Sequence, residues 1–160
     1  MKTTSHRPPR RRRAGFTLVE IMIVVVIIGL LATMAIPMFG RVRAHTQNSR
    51  FVSDLRTFAQ AFETFAMKNG NWPPNAGTGV VPAGMSGELK DADWTTPKNS
   101  VGGRWNWDLN NYGGVAVISC ANATASDAQM TLIDAMIDDG DLATGNFQKV
   151  SNRFVYILEH

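Results

Sequence analysis

Hydrophobic residues form one almost unbroken run near the amino terminus, from Phe16 to Phe39. At about 1.5 Å of rise per residue, a helix over this run would be roughly 36 Å long, which is enough to cross the hydrocarbon core of a bilayer. One acidic side chain, Glu20, lies about one turn inside the run. A lone carboxylate at that depth is costly unless it meets a partner. The pattern therefore predicts a membrane-length helix that carries a charge near its start.

Beyond Pro37 the pattern changes to a single apolar stripe on a helix. The stripe residues recur at alternating spacings of four and three, and polar residues such as Asp54, Gln60 and Glu63 occupy the other faces. The stripe consists of Phe51, Leu55, Phe58, Phe62 and Phe65. Its usual meaning is packing against a globular domain. Asn69 and Gly70 end the pattern, so the sequence predicts one helix of about 50 residues, half in lipid and half packed outside.

The remaining residues, 70–160, predict a small outer domain. Residues 70–103 contain seven Gly and four Pro, which favours an ordered loop over a long regular element. Period-two alternation predicts a strand over 104–109, and the apolar run at 115–120 predicts its partner after a turn over 110–114.

Two more elements complete the predicted outer domain. Ser126 and Gln129 have the spacing of a capping box, so a short helix is expected to begin there and to end near Gly140. Residues 154–158 predict a final strand. Strands and helices in this order indicate an α+β fold.

Charge is divided unevenly between the start of the chain and the rest. Residues 1–15 hold six of the 16 basic residues and none of the 13 acidic residues, so residues 16–160 carry a net charge of −3. The arginines at 10–13 directly precede the apolar run, and the positive-inside rule keeps this end in the cytoplasm. The rest of the chain lacks the clustered cationic face that phosphate binding needs, so no nucleic-acid partner is expected.

Little in the sequence supports catalysis. Cys120 is the sole cysteine and lies in an apolar run, which predicts a core residue and excludes an internal disulfide. The histidines are His6 in the leader, His45 near the membrane and His160 at the carboxy terminus. None lies in the interior of the outer domain's sequence, so a Ser-His or Cys-His dyad there would need a terminal residue. Paired Cys or His ligands for zinc do not occur in the sequence. We expect neither enzymatic activity nor a required cofactor.

The tryptophans and one acidic run each allow a binding function. Trp72, Trp94, Trp105 and Trp107 could form a surface on which a sugar stacks, but the spacing of Trp105 and Trp107 also suits a small core, which we favour. The run Asp138, Asp139 and Asp141 could bind calcium. It lacks the twelve-residue EF-hand spacing, and a solvated turn between a helix and a strand, which we favour, explains it well.

The segment Gly15-Phe16-Thr17-Leu18-Val19-Glu20, with arginines before it and the apolar run after it, resembles the type III signal peptide of type IV pilins and type II secretion pseudopilins. The resemblance implies cleavage after Gly15 by a prepilin peptidase and N-methylation of the new amino terminus, Phe16. It also implies that Glu20 guides fibre assembly. On its own chemistry Glu20 could equally snorkel to the nearby interface. Pairing with the Phe16 ammonium of a neighbouring subunit is the alternative that the motif favours.

Gly29 and Pro37 stand where pilin-like chains often carry these residues. Proline lacks a backbone donor, so a kink near Thr33 is expected. The resemblance implies that the stretch between them can lose helicity in the fibre.

The predicted organisation has four parts: a cleaved basic leader at 1–15, a membrane or fibre-core helix at 16–39, its amphipathic continuation at 40–69 and an outer domain at 70–160. The expected fold is pilin-like, with a long kinked helix on a small antiparallel sheet and one short extra helix. The resemblance implies an inner-membrane protein with its carboxy-terminal domain outside the cytoplasm. Its implied partners are the prepilin peptidase, the inner-membrane assembly platform, and other copies or pilin-like subunits. The alternative is a permanently anchored module that binds carbohydrate.

Overall fold

The structure is a computed structural model that describes residues 15–160. The arginines of the predicted leader lie outside the described residues. The described chain forms helix α1 (Leu18–Asn69), helix α2 (Asp91–Trp94), strands β1 (Arg104–Asn111) and β2 (Gly114–Ala121), helix α3 (Asp127–Ile137), and strands β3 (Phe147–Val150) and β4 (Arg153–Glu159). The chain divides into two compact units between Gly40 and Arg41, and each unit is described by itself.

The first unit consists, over its described residues, of the apolar part of α1. Between Gly15 and Gly40 no described side chain is buried, and the large apolar side chains from Phe16 to Phe39 are at least half exposed wherever they are described. By length and composition α1 can cross a membrane. The predicted apolar helix therefore forms, and the chain itself does not bury it.

The second unit is built on a four-stranded antiparallel sheet with the strand order β1-β2-β4-β3. In the β1–β2 register Trp105 lies opposite Cys120 and Trp107 lies opposite Ile118. Because side chains alternate between the faces of a strand, both tryptophans project from the same face. That face packs against the amphipathic part of α1 and forms the core of the unit.

Aromatic contacts between α1 and β1 dominate this core. Phe62 stacks on Trp107 with 3.9 Å between ring centroids, and Phe51 stacks on Trp105 at 4.7 Å. All four side chains are buried. The predicted apolar stripe is thus confirmed as the face that packs on the sheet, except that its last member, Phe65, is only partly buried.

The predicted hairpin is confirmed, but its turn is tighter than expected. β1 extends to Asn111 and β2 begins at Gly114, which leaves only Tyr112 and Gly113 as the loop. Both residues have positive φ, +53° and +87°, as a type I′ turn requires. The polar sequence around Asn110 concealed this extension of the strands.

Two elements were missed by the sequence-based prediction. Helix α2 has four residues, and strand β3 also has four. Segments this short have too few positions for a periodic pattern to stand out. Helix α3 was predicted correctly from Ser126, whose hydroxyl accepts a hydrogen bond from the backbone N–H of Gln129 at 3.3 Å.

Phe62→Ala is expected to destabilise the second unit by about 3–5 kcal/mol, since it removes a fully buried ring and leaves a cavity against Trp107. The matched control is Met67→Ala on the same helix, where the side chain is 82% exposed and little change is expected. Denaturant unfolding of the detergent-solubilised chain, followed by tryptophan fluorescence, measures both. Equal effects of the two substitutions would contradict the described core.

Candidate functional site

The predicted cleavage point lies in a short non-helical segment before α1. Residues 15–17 are outside the helix, which begins at Leu18. Gly15 is exposed, the Phe16 side chain is 83% exposed, and a β carbon built on Gly15 would meet no other described atom within 4 Å. An exposed peptide bond outside a helix is open to a peptidase.

Glu20 forms a capping box with Thr17 at the start of α1. One carboxylate oxygen, Oε2, accepts hydrogen bonds from the backbone N–H and the hydroxyl of Thr17, each at 2.9 Å. In return the Thr17 hydroxyl accepts from the Glu20 backbone N–H at 3.3 Å. This reciprocal arrangement satisfies donors that a helix start leaves unpaired.

Sequence reasoning missed this cap, although Thr-x-x-Glu before an apolar run is its known signature. The cap fixes Glu20 to the first turn, four residues after Phe16. Cleavage after Gly15 would leave the backbone N–H and the hydroxyl of Thr17 in place. The cap therefore does not depend on the leader.

Gly29 and Pro37 both lie within α1 as it is described, and the helix is assigned through both positions. A β carbon at Gly29 would meet nothing within 4 Å among the described residues. No side-chain contact explains the glycine, whose helix propensity is about 1 kcal/mol poorer than that of alanine. The weakening of the helix at these positions stays a prediction.

A group of three carboxylates lies where α3 passes into the following loop. Ligand oxygens of Asp134, Asp138 and Asp139 all lie within 4.8 Å of one another. Asp134 was not among the sequence candidates, whereas Asp141, which was, lies outside this group and accepts the backbone N–H of Ala143 at 3.0 Å. The sequence does carry a sign of Asp134: it stands four residues after Met130, which is buried, and so falls on the apolar face of α3.

The carboxyl group of Asp134 is buried and neither of its oxygens has a hydrogen-bond partner among the described residues. Burial raises the pKa of Asp134 to about 6, and the neighbouring carboxylates of Asp139 and Asp138 add to the rise. The backbone N–H of Gly140 lowers the pKa of Asp134, although it does not meet the geometry of a hydrogen bond to either carboxylate oxygen.

The tryptophans do not form a sugar-binding surface. Trp94, Trp105 and Trp107 are buried in the aromatic core, and Trp107 donates its indole N–H to the carbonyl of Pro73 at 3.0 Å. Trp72 is half-buried and donates to Glu159. The interpretation as core residues is confirmed, and the anchored carbohydrate-binding module loses the feature that suggested it.

Cys120 is buried in the core as predicted. The side-chain amide of Asn99 donates to its sulfur at 3.2 Å, and burial raises the pKa of the thiol to about 11. A thiol with that pKa holds almost no thiolate at neutral pH. His160 contacts the side chain of Asn146 through Nε2 at 2.9 Å. The described residues therefore place no histidine in hydrogen-bond contact with Cys120.

Comparison with known proteins supports the interpretation of the amino-terminal segment. Residues 10–36 match the family model described as the prokaryotic N-terminal methylation motif. The type II secretion system core protein G of Aeromonas hydrophila is 33% identical over 64 residues, which are 40% of this chain and 45% of that protein. The type IV major pilin protein PilE1 of Neisseria gonorrhoeae is 34% identical over 77 residues, covering 46% of this chain and 47% of that protein.

A further relative is the type IV major fimbrial protein FimA of Dichelobacter nodosus, which is 50% identical over 50 residues, or 31% of this chain and 32% of FimA. The chain therefore spans less than half the length of each of these curated relatives. Among solved structures, the major type IV pilin PilA1 from Clostridium difficile aligns with a TM-score of 0.53 and 13% identity over 75% of this chain and 98% of that one.

These likenesses define the class. The chain carries the prokaryotic N-terminal methylation motif and has the fold of a type IV pilin. The expected α+β architecture, a long helix on a small antiparallel sheet, is confirmed.

Proposed function

We propose that this chain is a structural subunit of a type IV pilus-like or type II secretion fibre, and not an enzyme. The observation that carries the proposal is the methylation motif at the head of an apolar helix that the chain leaves exposed. The chain is made as a precursor, cut after Gly15 by a prepilin peptidase and methylated on Phe16. It waits in the inner membrane with its outer domain outside the cytoplasm, and an assembly platform then moves it into the fibre.

The exposed run explains why such a protein needs two environments. Every large apolar side chain of the run that stays in water costs free energy in proportion to its area. Lipid covers the run before assembly. In the fibre, the apolar helices of other subunits cover it instead, so extraction from the membrane exchanges one apolar environment for another.

Glu20 sets the register of the assembled helices in this proposal. Cleavage creates an ammonium at Phe16, close to the depth of Glu20 along the helix. In a bundle, the carboxylate of one subunit meets the ammonium of its neighbour. A shift by one turn would leave both charges unpaired in a medium of low dielectric constant, which is strongly unfavourable. The Thr17 hydrogen bonds use Oε2 and hold the carboxylate in place for such a contact.

Within this class we favour a pseudopilin of a type II secretion machine over a surface pilin. The support is a compact outer domain that contains Cys120 as its sole cysteine and therefore no disulfide. Curated relatives of both kinds match this chain, and so they do not discriminate between the two.

In cells with an active prepilin peptidase, the membrane-extracted chain is expected to have the intact mass of a polypeptide that starts at methylated Phe16. Gly15→Val should keep the full precursor mass. The substitution places a bulky side chain beside the bond that is cut, where the peptidase otherwise meets glycine. Gly29→Ala is the matched control and should be cut normally, since Gly29 lies inside α1 and away from the cut. A native chain that retains residues 1–15 would contradict the proposal.

Substitutions at Glu20 separate its charge from its cap. Glu20→Gln keeps a capping-box residue at this position but removes the charge, and Glu20→Ala removes both. Both variants are expected to insert in the membrane normally and to yield only a small fraction of the wild-type fibre, measured by shearing and sedimentation. Glu63→Ala, an exposed acid on the same helix, should leave the yield unchanged. Wild-type assembly of Glu20→Gln would refute the pairing and leave Glu20 only a capping role.

Deletion of the gene is expected to abolish export of secreted enzymes while twitching motility and surface fibres persist. Enzyme activity in the culture medium and electron microscopy of the cell surface measure the two outcomes, and re-expression of the chain is the control. Loss of surface fibres with normal secretion would instead assign the chain to a type IV pilus.

A further inference from the structure

A groove that joins basic to apolar side chains lies between the amphipathic part of α1 and helix α3. Its volume is about 460 Å³, within the range of roughly 300–1,000 Å³ that is usual for small-molecule sites. All of its lining residues belong to the second unit. They are Arg41, Ala44, His45, Asn48, Leu132 and Met136.

The two walls of the groove are single helix faces. The four α1 residues of the lining are spaced by three, one and three positions, which places them on one side of the helix. Leu132 and Met136 are four residues apart and share a face of α3 in the same way. The groove is therefore a regular product of two helices and does not depend on a loop.

Hydrogen bonds between the two helices fix the walls of the groove. Asn48 is buried, and its side-chain oxygen accepts from the side-chain amide of Gln129 on α3 at 2.8 Å. The guanidinium of Arg56 on α1 donates to the carbonyl of Met136 at 3.1 Å. Because both helices are joined by these bonds, the groove is formed before any ligand enters it.

The chain leaves the groove open to solvent. Leu132 is 62% exposed and Met136 is 40% exposed, although both belong to a helix that otherwise packs on the core. Arg41 is exposed as well, and it belongs to none of the ion pairs among residues 15–160. Apolar side chains beside an uncompensated guanidinium suit a ligand that has both an anionic and an apolar part.

The groove begins close to the end of the apolar run. Arg41 follows Phe39 by two residues, which span at most about 7 Å even when the chain is extended. The headgroup region adds roughly 5–8 Å to each side of a hydrocarbon core of about 30 Å. When the run lies in lipid, Arg41 therefore lies at the level of the lipid phosphates.

The basic residues after the run oppose the usual distribution of charge around a membrane span. In the proposed orientation they lie outside the cytoplasm, where the positive-inside rule disfavours them. The sequence holds no acidic residue between Glu20 and Asp54, and Asp54 pairs with Arg50 at 3.9 Å. Arg41 and Arg43 are in no ion pair among the described residues. An anion at the membrane surface would offset their charge.

We propose that the groove binds one anionic phospholipid. The Arg41 guanidinium donates to the phosphate oxygens, His45 adds a ring N–H, and Leu132 and Met136 contact the first part of an acyl chain. A free phosphate ion would leave both apolar side chains without a partner, so the lipid fits better. The bound lipid attaches α1 and α3 to the headgroup region. This proposal rests on the membrane stage of the proposed function and does not require the fibre.

Native mass spectrometry of the full-length chain in detergent micelles tests the proposal, with phosphatidylglycerol and phosphatidylcholine added in equal amounts. We expect one phosphatidylglycerol per chain, bound in preference to phosphatidylcholine. Arg41→Gln should lower the phosphatidylglycerol affinity by about fivefold, the loss expected for one arginine near an anionic headgroup.

Arg43→Gln is the matched control for Arg41→Gln. It removes the same charge from the same helix, but Arg43 is rotated by about 200° from Arg41 and does not line the groove. A charge on the far side of a helix about 10–12 Å wide is largely screened at about 0.15 M salt. We expect Arg43→Gln to change the affinity by less than about twofold.

A second pair of variants places one new carboxylate inside or outside the groove. Leu132→Glu should lower the phosphatidylglycerol affinity by about fivefold or more, because the carboxylate repels the phosphate. Val80→Glu changes the net charge equally at a side chain that is 53% exposed and away from the groove, and it should have little effect. Near-ultraviolet circular dichroism checks that both variants fold.

Equal binding of the two lipids would overturn the proposal. Equal losses in Arg41→Gln and Arg43→Gln would also overturn it, since they would indicate diffuse attraction without a site. Displacement of the lipid by sn-glycerol 3-phosphate would exclude a role for the acyl chain. A Leu132→Glu variant with altered oligomeric state and unchanged lipid affinity would assign the groove to a second copy of the chain. Failure of lipid binding with normal cleavage after Gly15 would leave the proposed function intact.

Discussion

The apolar run from Phe16 to Phe39 has no partner among the described residues of its own chain, and this determines where the molecule can be stable. From Phe16 to Phe39 the large apolar side chains that the structure describes are at least half exposed, and full burial of each is worth about 1.5–3 kcal/mol. Summed over the run, this amounts to tens of kcal/mol, far above the usual net stability of a domain. Such a run is stable in lipid or against other apolar helices, and the proposed fibre subunit uses both in turn.

The same helix serves a second, different purpose beyond Gly40. There its apolar residues form one stripe, and Phe51 and Phe62 stack on Trp105 and Trp107 of the first strand. Four aromatic rings in register join helix to sheet in a unit that has no disulfide among its described residues. An apolar surface on all sides favours lipid, whereas a single stripe favours a protein core, and α1 carries both patterns in sequence.

Most of the fold could be predicted from the sequence, because the patterns that define its longer helices and strands are periodic. The apolar run, the stripe and the alternation around Trp105 each span enough residues to define a helix or a strand. Helix α2 and strand β3 are too short for that. Thr17 and Asp134 were missed because their surroundings depend on hydrogen bonding and burial. Thr17 bonds to Glu20, and Asp134 is an acidic side chain within an apolar face. Only the folded geometry reveals that Asp134 lies beside Asp138 and Asp139 while Asp141 does not.

In the proposed fibre, Glu20 finds its counter-charge on an adjacent subunit after processing. An electron cryomicroscopy structure of the native fibre measures this directly as the separation between the Glu20 carboxylate and the neighbouring Phe16 nitrogen. We expect salt-bridge contact, within about 4 Å, throughout the fibre. A fibre in which each Glu20 contacts only its own Thr17, with the amino termini of neighbouring subunits far away, would contradict it.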